Sequence, residues 1–86
     1  NGVDDLFMYD RAFQPGDTAQ HFKGGFYKII AIGTNTETEE KMVVYQSLKD
    51  QRVWIRSYDM FISKVDREKY PNAYQSYRFI KVRITV

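Results

Sequence analysis

Apolar and polar positions alternate along several short stretches of this chain, and turn-forming residues separate the stretches. Ile80, Val82, Ile84 and Val86 alternate with Lys81, Arg83 and Thr85, the pattern of a strand with one buried face. Residues 42–48 (MVVYQSL) are rich in β-branched and aromatic side chains and predict another strand. Residues 53–56 put Val53 and Ile55 on one face and Trp54 with Arg56 on the other. Across residues 29–32 both faces are apolar, which fits a strand covered on both sides or bent at a barrel corner.

The connections are equally marked. Gly24-Gly25 lies between Phe22-Lys23 and Phe26-Tyr27 and supplies the positive φ angles of a two-residue hairpin turn. That turn sets Lys23 opposite Phe26, Phe22 opposite Tyr27 and His21 opposite Lys28. Phe22, Tyr27 and Ile29 then share one face, while His21, Lys23, Phe26 and Lys28 share the other. Pro15-Gly16-Asp17 and Lys49-Asp50-Gln51 read as turns, and residues 33–41 as a polar loop with a solvated acidic run. Ser57 is placed to cap a short helical turn from Tyr58, with Phe61 and Val65 at i, i+4 spacing. Residues 66–77 form a polar, tyrosine-bearing loop interrupted by Pro71, and Arg78 falls in line with Ile80 and Val82.

These elements amount to an all-β domain of about five short strands with one helical turn before the last. A small SH3-like barrel is the first choice, since closure removes exposed sheet edges; an OB-type barrel or an open α+β sheet are the alternatives. Residues 1–14 read as an extension, with Leu6, Phe7, Met8, Tyr9 and Phe13 forming an extra strand or a helical turn over the core. Residues 15–86 read as one domain. At 86 residues the chain has no room for a second. There is no signal-peptide pattern at its start, and a first residue of Asn1 fits a piece of a longer protein.

Composition narrows the chemistry. The chain has no cysteine, which excludes disulfides, thiolate metal sites and a cysteine nucleophile, and favours a reducing cytoplasm. It has one histidine, so no two-histidine metal site can form, and no membrane-length apolar run. Nucleophile-elbow, phosphate-loop and H-E-x-x-H patterns do not occur. A carboxylate site from Glu37, Glu39 and Glu40 lacks the spacing of a calcium loop, so neither metal nor cofactor is expected. Thirteen basic residues against eleven acidic ones leave a net charge of +2, too balanced to imply a polyanion by itself. Seven Tyr, six Phe and one Trp point first to core packing and second to a displayed aromatic surface.

The ordered pieces His21 to Tyr27 (HFKGGFY), Thr36-Glu37-Thr38, Val43-Val44-Tyr45, Trp54-Ile55-Arg56, Met60-Phe61 and Arg78-Phe79 resemble an uncharacterised bacterial family of unknown function. Its pattern is approximately H-Y-K-G-x-x-Y, S/T-E-T, V-V-Y, W-V-R-P, M-F and R-F, and the resemblance spans residues 15–82. It implies an SH3-type barrel and no particular activity. Ser57 stands where the family has proline, and the segment before Arg78 is longer and richer in tyrosine than in typical members. The resemblance singles out polar positions that packing alone does not require: His21, Lys23, Glu37, Thr38, Arg56 and Arg78.

With Trp54 added, these residues make the candidate site. An indole beside a guanidinium can stack within the sheet or receive a planar or anionic ligand. A partly buried Arg78 calls for a carboxylate, with Glu37 or Asp59 as candidates. The leading expectation is a non-catalytic module that binds a small anionic ligand or an acidic peptide. Single-stranded nucleic acid is an alternative partner, and a hydrolase or lyase using His21 as base with Glu37 behind it is another. The chain is expected to be a monomer, or a homodimer paired through its last strand.

Overall fold

The computed structural model describes residues 11–82. Its elements are β1 (Thr18–His21), β2 (Phe26–Thr34), β3 (Lys41–Ser47), β4 (Val53–Ser57), the helical turn α1 (Tyr58–Phe61) and β5 (Phe79–Val82). All strand pairs are antiparallel, in the order β4-β3-β2-β1-β5. The last strand thus returns beside the first, and α1 leads the chain from one edge of the sheet towards the other. Beyond α1, Lys64 bridges to Tyr77, and the Arg78 N–H donates to the Ser63 carbonyl at 2.9 Å. The strand count, the short helix and its place before the last strand agree with the small all-β barrel that the patterning predicts. The Ser57 hydroxyl accepts the Met60 N–H at 3.2 Å, capping α1 as its sequence implies.

The first hairpin differs from the prediction. Gln20 faces Phe26 and Ala19 faces Tyr27, so the connection runs from His21 to Gly25. The His21 N–H donates to the Gly25 carbonyl at 2.7 Å, and the Gly24 N–H donates to the His21 carbonyl at 2.8 Å. Of the two glycines only Gly24, at φ 106°, is left-handed, so the pair does not act as a two-residue turn. The register moves by an odd number of residues, which exchanges the faces. His21 therefore joins Ala19, Tyr27 and Ile29 on the core side.

The apolar run at residues 29–32 is a bent corner. The pairing of β2 with β3 slips between Ile29 and Ala31, leaving Ile29 buried and Ile30 exposed at the bulge. β5 also departs from its predicted faces. Phe79 is the buried residue, Lys81 shares its side, and Ile80 with Val82 is only half-buried on the outer surface. Lys81 is accommodated because its ammonium donates to the Ala12 carbonyl at 2.6 Å and pairs with Asp17 at 3.4 Å. Ile84 and Val86, like residues 6–9, lie outside the described residues.

The core is a cluster of rings on the inner face. Phe61 and Phe79 stack at 4.0 Å, Phe13 meets Phe61 edge-on at 5.1 Å, and Tyr45 contacts both Phe61 and Phe79. Ala19, Ile29 and Val43 complete it. Burying each large side chain contributes roughly 1.5–3 kcal/mol. Phe13, before β1, is 2% exposed and packs into this cluster. Arg11 holds this strap down, donating to the carbonyls of Phe79 (2.9 Å) and Ile62 (3.1 Å). Among the described residues no helix is long and apolar enough to cross a membrane.

Candidate functional site

His21 closes β1 on the core side of the sheet. Its ring meets Phe79 edge-on at 4.9 Å and lies 4.5 Å from Phe22 and 6.3 Å from Tyr27. Its Nδ1 accepts the backbone N–H of Lys23 at 3.1 Å, which leaves the proton of the neutral ring on Nε2. Burial, and then the charges of Arg56, Arg78 and Lys23, lower its pKa from 6.5 to about 4. The imidazole is therefore neutral at pH 7, and three cations act on it from three segments of the chain.

Arg56 reaches this place from β4. Val43 lies opposite Arg56 and Tyr45 opposite Trp54, so Trp54 and Arg56 take the same side as the core. The Arg56 Nε donates to the Tyr45 hydroxyl at 3.3 Å, which aims a half-buried guanidinium along the rings. Trp54 is 43% exposed, with the Arg52 guanidinium 4.6 Å from its ring centre. Arg78 precedes β5, and its Nε donates to the Ser63 hydroxyl at 3.3 Å. Lys23 projects from the first hairpin, its ammonium 4.9 Å from the Tyr70 ring centre. A hydrogen bond from Lys23 and its charge hold the Tyr70 phenol below its usual pKa.

The carboxylate expected beside Arg78 is not there. Among the described residues the ion pair is Lys81 with Asp17; Lys23, Arg56 and Arg78 form none, and Arg52 has Asp50 as its acidic neighbour. Hydroxyls and rings orient these cations without neutralising them.

Glu37 and Thr38 stand apart. Both lie in the β2–β3 loop, exposed, where the Asn35 side-chain oxygen accepts the N–H of Glu37 at 2.9 Å and of Thr38 at 3.3 Å. Glu37 also accepts the Thr36 hydroxyl at 3.2 Å. These are the bonds of a turn that orders itself. The length of β2, roughly 25 Å of extended chain, lies between this loop and His21. The charges of Lys23, Arg56 and Arg78 thus reach His21, whereas Trp54 pairs with Tyr45 in mid-sheet beside Arg52, and Glu37 and Thr38 lie in the loop at the far end of β2 from His21.

Three contributors were not singled out from the sequence. Tyr45 reads as core, yet its hydroxyl positions Arg56. Arg52 follows from its i, i+2 relation to Trp54. Tyr70 sits in a loop whose path no periodicity reveals. Among the described residues no group of three His, Asp or Glu is gathered to hold a metal ion.

The family model match spans most of this arrangement, running over residues 17–81. The chain belongs to the family described as protein of unknown function (DUF1653). No curated protein and no solved structure matches it. In this DUF1653 domain the matched segment contains His21, Lys23, Arg56 and Arg78 as well as Trp54, Arg52 and Tyr45. It begins at Asp17 and ends at Lys81, the two members of the ion pair that joins the entry of β1 to β5.

Proposed function

We propose that the domain is a non-catalytic binding module that holds an anionic group, a carboxylate or a phosphate, among Lys23, Arg56 and Arg78. One observation carries this reading. Three cations from separate segments converge on a neutral His21 with no acidic partner among the described residues. Keeping like charges together on a protein surface opposes folding, and an incoming anion relieves that repulsion. The Nε2–H of His21 is a further donor. A cysteine-free chain suits work in a reducing cytoplasm.

Catalysis is a weaker fit. The His21 Nδ1 is occupied by a backbone N–H, and no carboxylate orients the ring. A pKa near 4 also makes the imidazole a poor base at neutral pH.

Titration with inorganic phosphate at low salt, read by Trp54 fluorescence, tests the proposal. Arg56→Ala and Lys23→Ala should each weaken binding about tenfold. Unchanged affinity in both variants would remove the assigned site.

A further inference from the structure

The β4 edge of the sheet carries no partner among the described residues, and its chemistry specifies one. The Ser47 N–H donates to the Arg52 carbonyl at 2.9 Å, so Ser47 turns its N–H towards β4. By antiparallel alternation, Trp54 and Arg56 direct their backbone groups at β3, as does the Arg52 carbonyl, whereas Val53 and Ile55 direct theirs outward. The side chains of Val53 and Ile55 are 53% and 66% exposed on the outer face of the sheet. On the inner face the same strand presents Trp54 and Arg56, with Arg52 just before it.

We propose that β4 accepts an extended acidic peptide as an added antiparallel or parallel strand, its side chains alternating between acidic and apolar. This rests on the anion-binding reading and names its partner. The free N–H and C=O groups of Val53 and Ile55 supply main-chain hydrogen bonds to such a strand. Successive side chains of an added strand point to opposite faces, as those of β4 do. Those on the inner side meet Arg56, which forms no salt bridge among the described residues, and Arg52, whose acidic neighbour is the exposed Asp50. Those on the outer side cover Val53 and Ile55. Charge complementarity decides the occupant. A second copy of β4 centred on Trp54 would set Arg52 directly against Arg56 twice, and like charges directly opposite are destabilising.

The test uses the whole chain and a short synthetic peptide of alternating glutamate and valine. Amide hydrogen exchange at Val53 and Ile55 is measured with Trp54 fluorescence. The peptide should slow exchange at those two amides about tenfold or more at saturation. Methylating the peptide nitrogens that face β4 leaves its side chains intact and should weaken binding about tenfold. A peptide with the same residues in two blocks should bind more weakly than the alternating one. Ile55→Pro removes an outward N–H that no residue of the sheet uses, and should weaken the alternating peptide while leaving phosphate affinity unchanged.

Peptide binding without protection at Val53 and Ile55, or insensitivity to methylation, overturns strand addition. If phosphate binds and the peptide does not, strand addition fails and the anion site stands; if neither binds, both readings fail. Protection that grows with protein concentration alone makes a second copy the occupant and overturns the proposal. So does an oligonucleotide that shifts Trp54 fluorescence where the peptide does not.

Discussion

The Tyr45 hydroxyl accepts the Arg56 Nε–H at 3.3 Å, joining the ring cluster of the core to a cation on the edge strand. Tyr45 is buried by Tyr27, Phe61 and Phe79, so its hydroxyl is a fixed point. Arg56 is fixed in turn, and holding a guanidinium in place before the ligand arrives reduces the ordering cost of binding.

Tyr45→Phe keeps every ring contact and removes only that acceptor. Phosphate affinity should fall about three- to tenfold, and stability should change by no more than about 1 kcal/mol. Parallel fluorescence titration and urea unfolding separate the two effects. A large loss of stability with unchanged affinity would mean that the hydroxyl serves the fold and not the site.

Phe13 lies on the strap before β1 and contributes a full ring to the core. Phe13→Ala should cost about 3–5 kcal/mol in urea unfolding. An extension outside the domain would give a change of about 0.5 kcal/mol or less. The Lys81 and Arg11 bonds to backbone carbonyls hold the same crossing, so the loss should be felt across the first and last strands.

His21 makes stability depend on pH in a defined window. Its folded pKa, about 4, lies below its ordinary 6.5, so between those values the unfolded chain binds more protons. Stability from this group is fully present above pH 6.5 and is lost as pH falls towards 4. Asp50, held low by the Arg52 N–H, adds its own loss only below the ordinary carboxylate value of 3.8. His21→Asn keeps an acceptor near Nδ1 and should flatten the urea midpoint between pH 6.5 and 4. An equally steep variant would assign the window to other groups.

Much of this arrangement was legible in the sequence because strands announce themselves by alternation. The strand of residues 42–48, the Trp54/Arg56 face and the Ser57 cap all follow from local chemistry. What failed was local as well, but depended on long-range register. Gly24-Gly25 offers two permissive residues, and only tertiary pairing decides that one is left-handed and that His21 faces inward. Phe79 and Lys81 exchanged sides with Ile80 and Val82 because a half-buried lysine on the inner side is held by the distant Ala12 carbonyl and Asp17. Periodicity carries no information about those partners. The separation of Glu37 from His21 has the same origin, since motif order along the chain does not reveal which end of the sheet each loop occupies.

The most direct test of the anion site is an NMR titration of the His21 imidazole with and without saturating inorganic phosphate. Lys23, Arg56 and Arg78 help hold its pKa at about 4, and an anion among them offsets their charge. Phosphate should therefore move the His21 pKa upward, part of the way towards 6.5, with burial keeping it below that value. A His21 pKa that stays the same in saturating phosphate would contradict the account.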